Sequence, residues 1–384
     1  MDPQVAVAGY VCLDVIPTFQ GEKESLASLF QPGKLLDVGS AVTAPGGAVS
    51  NTGLALHRLG IPVKLVGKVG DDLFGQELRK QYRQYDEDLA ASIITSSEEV
   101  TSYTIVISPP GVDRFFLHCT GANNTFFARD VDFKEMSGVR IFHFGYPPLM
   151  RSMYQDGGAE LARLMQRAKA AGLTTSLDMA LPDPSSEAAR VDWPALLARV
   201  LPHVDIFLPS LEEVQLMLAT PRGQEETADG RYLNQASSQL LAMGAAVVVI
   251  KLGDQGLYLR TTPGKDRLLA MGAAAPLEAN AWLGRELLAP CFQAQVVGTT
   301  GAGDCAIAGF LASLLKELAV EEVLLTATAV GGFNVEGPDA TSSIPDWDTV
   351  QARIQAGWKQ HPPALSLPGW QQRNLVWFGP DDGL

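Results

Sequence analysis

Short apolar segments alternate with segments of helical periodicity along most of this chain. The predicted strands are Val5–Ala8, Val63–Val66, Ile141–Phe144, Leu173–Leu177, Ile206–Leu208 and Ala246–Ile250. The predicted helices between them are Asn51–Leu59, a helix after Gly75, Gly158–Ala171, a helix from Leu211 and Asn234–Met243. This alternation predicts a mostly parallel sheet with helices on both faces.

Four regions break this alternation. Residues 10–45 and 98–120 contain alternating segments without helices between them, such as Ser102–Ile107 and Arg114–His118, and predict a small antiparallel lid. Residues 262–295 and 361–384 are irregular and rich in Pro, Ala and Gly, which predicts an insertion and a surface tail. We therefore expect one α/β domain over residues 1–360, followed by a C-terminal tail at 361–384.

Composition narrows the choice of partners. The chain has 384 residues, of which 46% are hydrophobic, and a net charge of −14. Binding to a phosphate backbone needs a basic surface, so nucleic acid is not an expected partner. The longest apolar stretch, Ala306–Leu315, is far shorter than the roughly 20 residues that span a bilayer, so we expect no membrane association. The cysteines are scattered without a CxxC pair, and Asp2 stands where a signal peptide is basic. Both features predict a cytoplasmic protein.

The most informative stretch is Gly298-Thr299-Thr300-Gly301-Ala302-Gly303-Asp304. Apolar residues from Ala306 to Leu318 follow it at helical spacing, so the glycine loop is predicted to lie at a helix N-terminus. The first N–H groups of a helix have no intrahelical partner, and the helix dipole is positive there. The sequence therefore predicts an anion site at this loop.

Asp304 directly follows these small residues. An acid in the first turn of a helix often only complements the dipole, which is the structural alternative. Beside a bound γ-phosphate, however, a fixed carboxylate is repulsive unless it accepts a proton from an attacking hydroxyl. Such general-base catalysis contributes about 10²–10⁴ in rate. The N–H groups of Gly301, Ala302 and Gly303 would stabilise charge on the transferring phosphoryl group.

Two better-known nucleotide motifs are absent from the sequence. No Gly is followed by the Lys-Ser or Lys-Thr that ends a Walker A loop, and no GxGxxG follows the first predicted strand. Dinucleotide binding, and with it an oxidoreductase on a doubly wound sheet, is therefore disfavoured.

Together these motifs resemble those of the PfkB (ribokinase-like) carbohydrate kinase family. The family's C-terminal signature, approximately Asp-Thr-x-Gly-Ala-Gly-Asp, is matched from Thr299 onward, and its N-terminal signature by Gly46-Gly47-Ala48-Val49-Ser50-Asn51. Further motifs in the expected order are Gly9 to Asp14, Val66 to Gly75, Gly121-Ala122-Asn123 and Lys251 to Gly256. The resemblance covers residues 4–350. It implies a ribokinase-like three-layer α/β/α sandwich with a mostly parallel central sheet and a small β-sheet lid.

The resemblance also implies an activity and an acceptor site. It implies an ATP-dependent kinase that transfers the γ-phosphate to a hydroxyl of a sugar or sugar-like molecule, with Asp304 as general base. The positions that match the family's sugar-binding residues are Asp14, Gly46, Gly47 and Asn51. Each has an ordinary structural alternative, such as a strand end, a turn or a helix cap.

The implied cofactors are ATP and Mg²⁺. Lys251, Gly253 and Gly256 match the segment that lines the nucleotide, and Thr299 belongs to the phosphate loop. The alternative for the segment is a tight turn between strands, with Lys251 as a solvated charge. Glu213 matches the family's Mg²⁺-linked glutamate, and its alternative is an exposed acid in the first turn of a helix.

Three positions depart from the family pattern. Gly298 replaces the first Asp of the C-terminal signature, which in many members helps to bind an activating monovalent cation, so we predict no potassium requirement. Ser210 replaces the Asn of Asn-x-x-Glu, which is expected to weaken contacts to phosphate or to Mg²⁺-bound water. Asp339-Ala340 replaces the common Gly-Ala.

The acceptor itself is not specified by the sequence. Five residues are placed either to face a ring of the acceptor or to pack in a core. They are Phe115, Phe116 and His118 on the predicted lid, and His143 and Tyr146 at a strand end. A nucleoside kinase of the same fold and a non-catalytic sugar- or nucleotide-binding descendant are the alternative functions. By analogy with the family alone, a homodimer through the lid is expected.

Overall fold

The computed structural model describes residues 2–19, 31–110, 115–218 and 229–383. In chain order, its strands are β1 (Val5–Gly9), β2 (Cys12–Pro17), β3 (Ala41–Gly46), β4 (Val63–Val66), β5 (Lys68–Gly70), β6 (Ile94–Ser96), β7 (Tyr103–Ile107), β8 (Phe115–Cys119), β9 (Ile141–Gly145), β10 (Thr174–Leu177), β11 (Ile206–Phe207), β12 (Val247–Lys251), β13 (Leu257–Thr261), β14 (Glu286–Ala289), β15 (Gln371–Arg373) and β16 (Val376–Phe378). Its α-helices are α1 (Ala48–Arg58), α2 (Leu73–Tyr85), α3 (Arg151–Tyr154), α4 (Ala159–Ala170), α5 (Trp193–Val200), α6 (Leu211–Met217), α7 (Gly230–Ala242), α8 (Lys265–Leu269), α9 (Ala302–Leu315), α10 (Val320–Asn334) and α11 (Trp347–Gln355).

The main sheet has ten strands in the order β15-β16-β14-β13-β12-β11-β10-β9-β1-β4. All pairings from β4 to β12 are parallel, and those from β12 to β15 are antiparallel. The predicted mostly parallel sheet is thus confirmed. Its parallel strands end at one edge, where ligands of open α/β sheets bind.

Two hydrophobic cores cover the two faces of this sheet. Val5 and Val7 belong to the core that contains α1, α9 and α10, whereas Ala6 and Ala8 belong to the core that contains α4, α5 and α7. Successive residues of a strand point to opposite faces, so each buried strand contributes to both cores. Burial on both faces explains why the parallel strands are continuous apolar runs.

A separate sheet of four strands, in the order β3-β2-β7-β8, lies where the lid was predicted. It is not wholly antiparallel, because β2 and β7 pair in parallel. Only Tyr10 and Val11 separate β2 from β1, so this small sheet begins at the carboxyl edge of the main sheet. Residues 20–30 and 111–114 of the predicted lid lie outside the described residues.

The predictions for residues 262–295 and 361–384 are wrong in part. Strand β14 pairs with β13 inside the main sheet, and β15 and β16 extend that sheet as a hairpin. Val376 and Phe378 are buried with Trp377 between them only half-buried, which is the alternation of a strand that packs one face on the core. The tail therefore belongs to the domain. No α-helix in the described part of the chain is long and apolar enough to cross a membrane.

Candidate functional site

The glycine loop leads directly into α9, as predicted. Gly301 precedes the helix with a φ of 76°, and a Cβ at that position would lie 2.8 Å from the Cβ of Ala340. Both the left-handed backbone and the close neighbour therefore require glycine. Gly301 offers no side chain to cap the helix, and the Ala302 N–H donates to the Thr299 carbonyl oxygen at 3.3 Å. The other N–H groups of the first turn are those that a helix N-terminus offers to an anion.

Asp304 lies in this first turn and is buried. Its Oδ2 atom accepts hydrogen bonds from Asn51 Nδ2 at 2.9 Å and from the Tyr146 hydroxyl at 2.7 Å. Thr52 Oγ1 lies 3.4 Å from the other carboxylate oxygen. Burial raises the pKa of Asp304, although the donors Tyr146 and Asn51 lower it in part. The structure thus brings predicted acceptor-site and catalytic residues into direct contact, because α1 and α9 pack together with their N-termini adjacent.

A second carboxylate, which sequence analysis missed, lies beside this site. Asp178 directly follows β10 and is 1% exposed, and its Oδ1 accepts a hydrogen bond from Lys251 Nζ at the end of β12. Both strands end at the carboxyl edge of the sheet, separated only by β11. A polar residue immediately after a buried strand was the available signal. The side chain of Lys251 is itself only 13% exposed, so its interpretation as a solvated charge is wrong.

Charge in this cluster is unbalanced, since the carboxylates of Asp178, Glu213 and Asp304 surround one ammonium group. Burial raises the pKa of Asp178 to about 8, with further increases from Glu213 and Asp304, despite the opposing charge of Lys251. Burial alone would lower the pKa of Lys251, but Asp178 and Glu213 outweigh it and raise that pKa. Lys251 therefore stays protonated.

Glu213 also has the structural role that was its alternative. Its carboxylate accepts a hydrogen bond from the Ser210 N–H at 2.6 Å, and Ser210 Oγ accepts one from the Glu213 N–H at 3.2 Å. This reciprocal capping box begins α6. Glu213 is nevertheless buried rather than exposed, near Lys251 and Asp178.

Two cavities meet at the glycine loop. One, of about 420 Å³, is lined by the four residues predicted to bind the nucleotide and by the start of α9; these are Lys251, Gly253, Gly256, Thr299, Ala302 and Gly303. Gly253 and Gly256 also form the predicted tight turn between β12 and β13. The other cavity, of about 820 Å³, lies between the small sheet and α2 and is lined by Asp14, Thr43, Gln81, Phe116 and Thr300 among others. Thr299 borders both cavities.

The predicted acceptor residues lie where the chain leaves the small sheet. A Cβ at Gly46 would lie 2.5 Å from Asp14 Oδ2, and one at Gly47 would lie 2.7 Å from the Tyr10 carbonyl oxygen. Gly47, with a φ of 86°, begins α1, which carries Asn51. Burial raises the pKa of Asp14 to about 6. The two glycines thus bring the carboxylate and the start of α1 close together.

The aromatic and histidine candidates have different roles. Tyr146 contacts Asp304, and Phe116 lines the larger cavity. His143 is fully buried, its Nδ1 lies 2.9 Å from Ser176 Oγ, and burial lowers its pKa to about 3. His118 contacts the Tyr10 hydroxyl through Nε2 at 2.8 Å. His143 is therefore a neutral core residue.

Comparison with known proteins agrees with this geometry. The model of the pfkB family of carbohydrate kinases matches residues 3–347. Probable fructokinase-7 from Arabidopsis thaliana is 26% identical over 358 residues, which cover 90% of this chain and 91% of that protein.

Solved structures confirm the ribokinase-like fold. The ribokinase of Arabidopsis thaliana complexed with ribose and ATP has a TM-score of 0.70 at 19% identity and covers 92% of this chain and 99% of that one. A putative ribokinase II of E. coli in complex with ATP and Mg²⁺ has a TM-score of 0.65 at 20% identity, with coverage of 92% and 99%. With nearly its whole length matched by the family model, the chain belongs to the pfkB family of carbohydrate kinases, enzymes that phosphorylate a hydroxyl group.

Proposed function

We propose that this enzyme transfers the γ-phosphoryl group of ATP to a hydroxyl of a sugar or sugar-like molecule, with Asp304 as the general base. The placement of Asp304 is the observation that carries the proposal. Its carboxylate is buried in the first turn of α9, beside the glycine loop, and one oxygen is bonded to both Asn51 and Tyr146. These donors keep it ionised and oriented, while burial makes it a stronger base than an exposed aspartate.

ATP occupies the 420 Å³ cavity, with its phosphates at the N-terminus of α9. The ammonium of Lys251 lies against this turn, since a Cβ at Gly303 would be 3.3 Å from Lys251 Cδ and 3.8 Å from its Nζ. Backbone N–H groups and this cation together stabilise the negative charge that develops on the transferring phosphoryl group. Asp178 holds the ammonium in place and is a positioning residue.

The acceptor binds in the 820 Å³ cavity, which Asp14 lines, and its hydroxyls are oriented by Asp14 and by Asn51, which contacts Asp304. The acceptor oxygen forms a bond to the γ-phosphorus as the bond to the β-bridging oxygen breaks. The acceptor proton passes to Asp304, and ADP leaves. The small sheet covers this cavity as a lid and excludes water, which suppresses hydrolysis of ATP.

Mg²⁺ fits the charge of this site. In the described part of the chain, no three His, Cys, Asp or Glu side chains form a metal-binding group by themselves. Mg²⁺ at kinase sites is held by one or two carboxylates together with substrate phosphates and water. The residues that would hold it, mainly through water, are Glu213 and Asp178, in the cluster with excess negative charge. The ion would neutralise charge on the phosphates.

The test is acceptor-dependent ADP release with Mg-ATP across neutral sugars, polyols, sugar acids and nucleosides. Turnover with a sugar supports the proposal, whereas turnover with nucleosides alone would favour a nucleoside kinase. ATP binding by calorimetry without turnover of any acceptor would favour a non-catalytic descendant.

Removing the Tyr146 hydroxyl should shift the pH dependence of kcat/KM toward higher pH. The Tyr146→Phe variant takes one donor from ionised Asp304, so the pKa of this carboxyl rises further. A hydrogen bond to a charged group contributes about 1.5–3 kcal/mol, so the acid limb of kcat/KM should move up by about one to two pH units. Profiles from pH 5 to 9 measure this shift. An unmoved limb would show that Tyr146 does not act on the base.

The Asp14 carboxylate is expected to lower the stability of the fold while improving binding of the acceptor. Its folded-state pKa of about 6 exceeds the value of an unfolded aspartate, so the ionised carboxylate destabilises the fold above pH 6 and not below pH 4. Asp14→Asn should therefore raise Tm by about 2 °C at pH 7, without a gain at pH 4, and raise KM for the acceptor. Thermal melts at both pH values check the sign. A gain at pH 4 as large as at pH 7 would contradict it.

A further inference from the structure

A side-chain amide joins the glycine loop to the segment that follows α10. Asn334 is the last residue of α10 and is fully buried. Its Nδ2 donates to the Thr300 carbonyl oxygen at 3.1 Å and to the Ala340 carbonyl oxygen at 2.7 Å. Because both neighbours are acceptors, only the NH₂ end of the amide can face them. The amide therefore links the loop before Asp304 to residue 340.

The same two segments are in tight contact beside this link. A Cβ at Gly301 would be 2.8 Å from the Cβ of Ala340, and Cys305 Sγ donates to the Ala340 carbonyl oxygen at 3.0 Å. The position of the segment around Ala340 thus sets the position of Gly301, whose N–H belongs to the proposed anion hole.

The residues at this place do not fit the activating monovalent cation that the family resemblance implies. A Cβ at Gly298 would lie 3.1 Å from the Gly337 carbonyl oxygen and 3.6 Å from that of Pro338. A carboxylate on residue 298 would therefore point toward carbonyl oxygens, an arrangement that requires a cation. Glycine removes this charge.

Two of the nearby residues have oxygens that already accept hydrogen bonds, whereas Asn334 Oδ1 is buried without a hydrogen-bond partner in the described part of the chain. Asp339 Oδ1 accepts hydrogen bonds from the Thr341 and Ser342 N–H groups at 2.9 and 2.7 Å. The Ala340 carbonyl oxygen has two donors, Asn334 and Cys305. Because a carbonyl oxygen has two lone pairs, a cation at Ala340 would have to displace one of these two donors, at a cost of about 1–3 kcal/mol for the buried donor left unpaired.

We propose that the amide of Asn334 takes the place of the monovalent cation and holds the glycine loop in its phosphate-binding position. The NH₂ group donates two hydrogen bonds, to the Thr300 and Ala340 carbonyl oxygens, and so holds together two groups that an ion would otherwise hold by electrostatic attraction. Asn334 is a positioning residue, since it acts through the backbone of the loop. The inference rests on the proposed function of that loop, and it predicts an enzyme without a potassium requirement.

The experiment compares wild type, Asn334→Leu and Asn334→Asp in potassium chloride and in choline chloride at equal ionic strength. Wild-type kcat should be the same in both salts. Asn334→Leu removes both donors at similar volume and should lower kcat by about tenfold or more in either salt, because the loop is displaced. Asn334→Asp places a carboxylate among carbonyl oxygens, so its kcat should be low in choline and rise by about tenfold in potassium.

Thr326→Val is the matched control on the same helix. Thr326 is buried, and its hydroxyl bonds Gln351 Nε2 at 3.1 Å, remote from the loop. This variant should lose some stability but show wild-type kcat in both salts.

Three results would overturn the proposal: potassium activation of the wild type, wild-type kcat in Asn334→Leu, or no potassium response of Asn334→Asp. If the wild type phosphorylated no acceptor, the proposed function would fail instead. The melting temperature of Asn334→Asp would still decide the inference, because potassium should raise it relative to choline while leaving that of the wild type unchanged.

Discussion

Replacing Asp304 with asparagine is expected to lower kcat by about a thousandfold while leaving ATP affinity within a few-fold of wild type. The amide keeps the shape of the side chain and can still accept from Asn51 or Tyr146, but it cannot take a proton at neutral pH. Single-turnover ADP formation measures the loss, and calorimetric titration of ATP measures binding.

The control for this variant separates catalysis from helix stabilisation. Asp346 is an exposed acid at the N-terminus of α11 that accepts a hydrogen bond from the Thr349 N–H at 2.8 Å. Like Asp304→Asn, the Asp346→Asn variant removes a negative charge from the N-terminus of a helix. Its kcat is expected to equal that of the wild type. Because burial raises the pKa of Asp304, Asp304→Asn should melt no lower than wild type at pH 8. More than about a tenth of wild-type kcat in Asp304→Asn would exclude it as the general base.

Asp304 could be found from sequence because its surroundings are local. The residues that define it, Gly301 to Gly303 and the apolar periodicity of α9, are adjacent in the chain. The parallel strands were equally accessible, since burial on both faces makes them continuous apolar runs.

The partners of Asp304 could not be found in this way. Tyr146 is 158 residues away and Asn51 is 253 residues away, and only the packing of α9 against α1 and the strand order of the sheet place them together. Asp178 does not belong to any of the sequence motifs described above. The hairpin of β15 and β16 was missed because Gln371–Arg373 is polar and each strand has only three residues.

The site combines more acidic groups than cationic ones. Three buried carboxyl groups share one ammonium, and burial together with Glu213 and Asp304 raises the pKa of Asp178 to about 8. As proposed above, a Mg²⁺ ion held here and the N–H groups of α9 would make the same place suitable for phosphate. We therefore expect Lys251 to have two roles, to stabilise the fold and to stabilise transferring phosphoryl charge, and these can be separated experimentally.

Lys251→Met should destabilise the protein and lower kcat by about a hundredfold or more. Adding Asp178→Asn to this variant should restore stability but not kcat. The single variant leaves Asp178 buried without its cation, which costs about 3 kcal/mol. Since the folded-state pKa of Asp178 is raised well above its unfolded value, this cost grows as pH rises and should be larger at pH 9 than at pH 6. In the double variant the buried pair of Asp178 and Lys251 is removed together, Glu213 and Asp304 remain, and the phosphoryl group still lacks its cation.

Lys169 provides a comparison at the opposite edge of the sheet. Its Nζ lies 2.8 Å from Oδ2 of the buried Asp205, which precedes β11 rather than following a strand at the site. Arg267 Nη1 also lies 2.8 Å from Asp205, so the loss of stability should be smaller than at Lys251. Lys169→Met should lower the free energy of unfolding, measured by urea denaturation, while kcat stays at the wild-type value. If the double variant at residues 178 and 251 recovered kcat together with stability, Lys251 would have only a structural role. Recovery of stability with kcat still low would place its charge in the transition state for phosphoryl transfer.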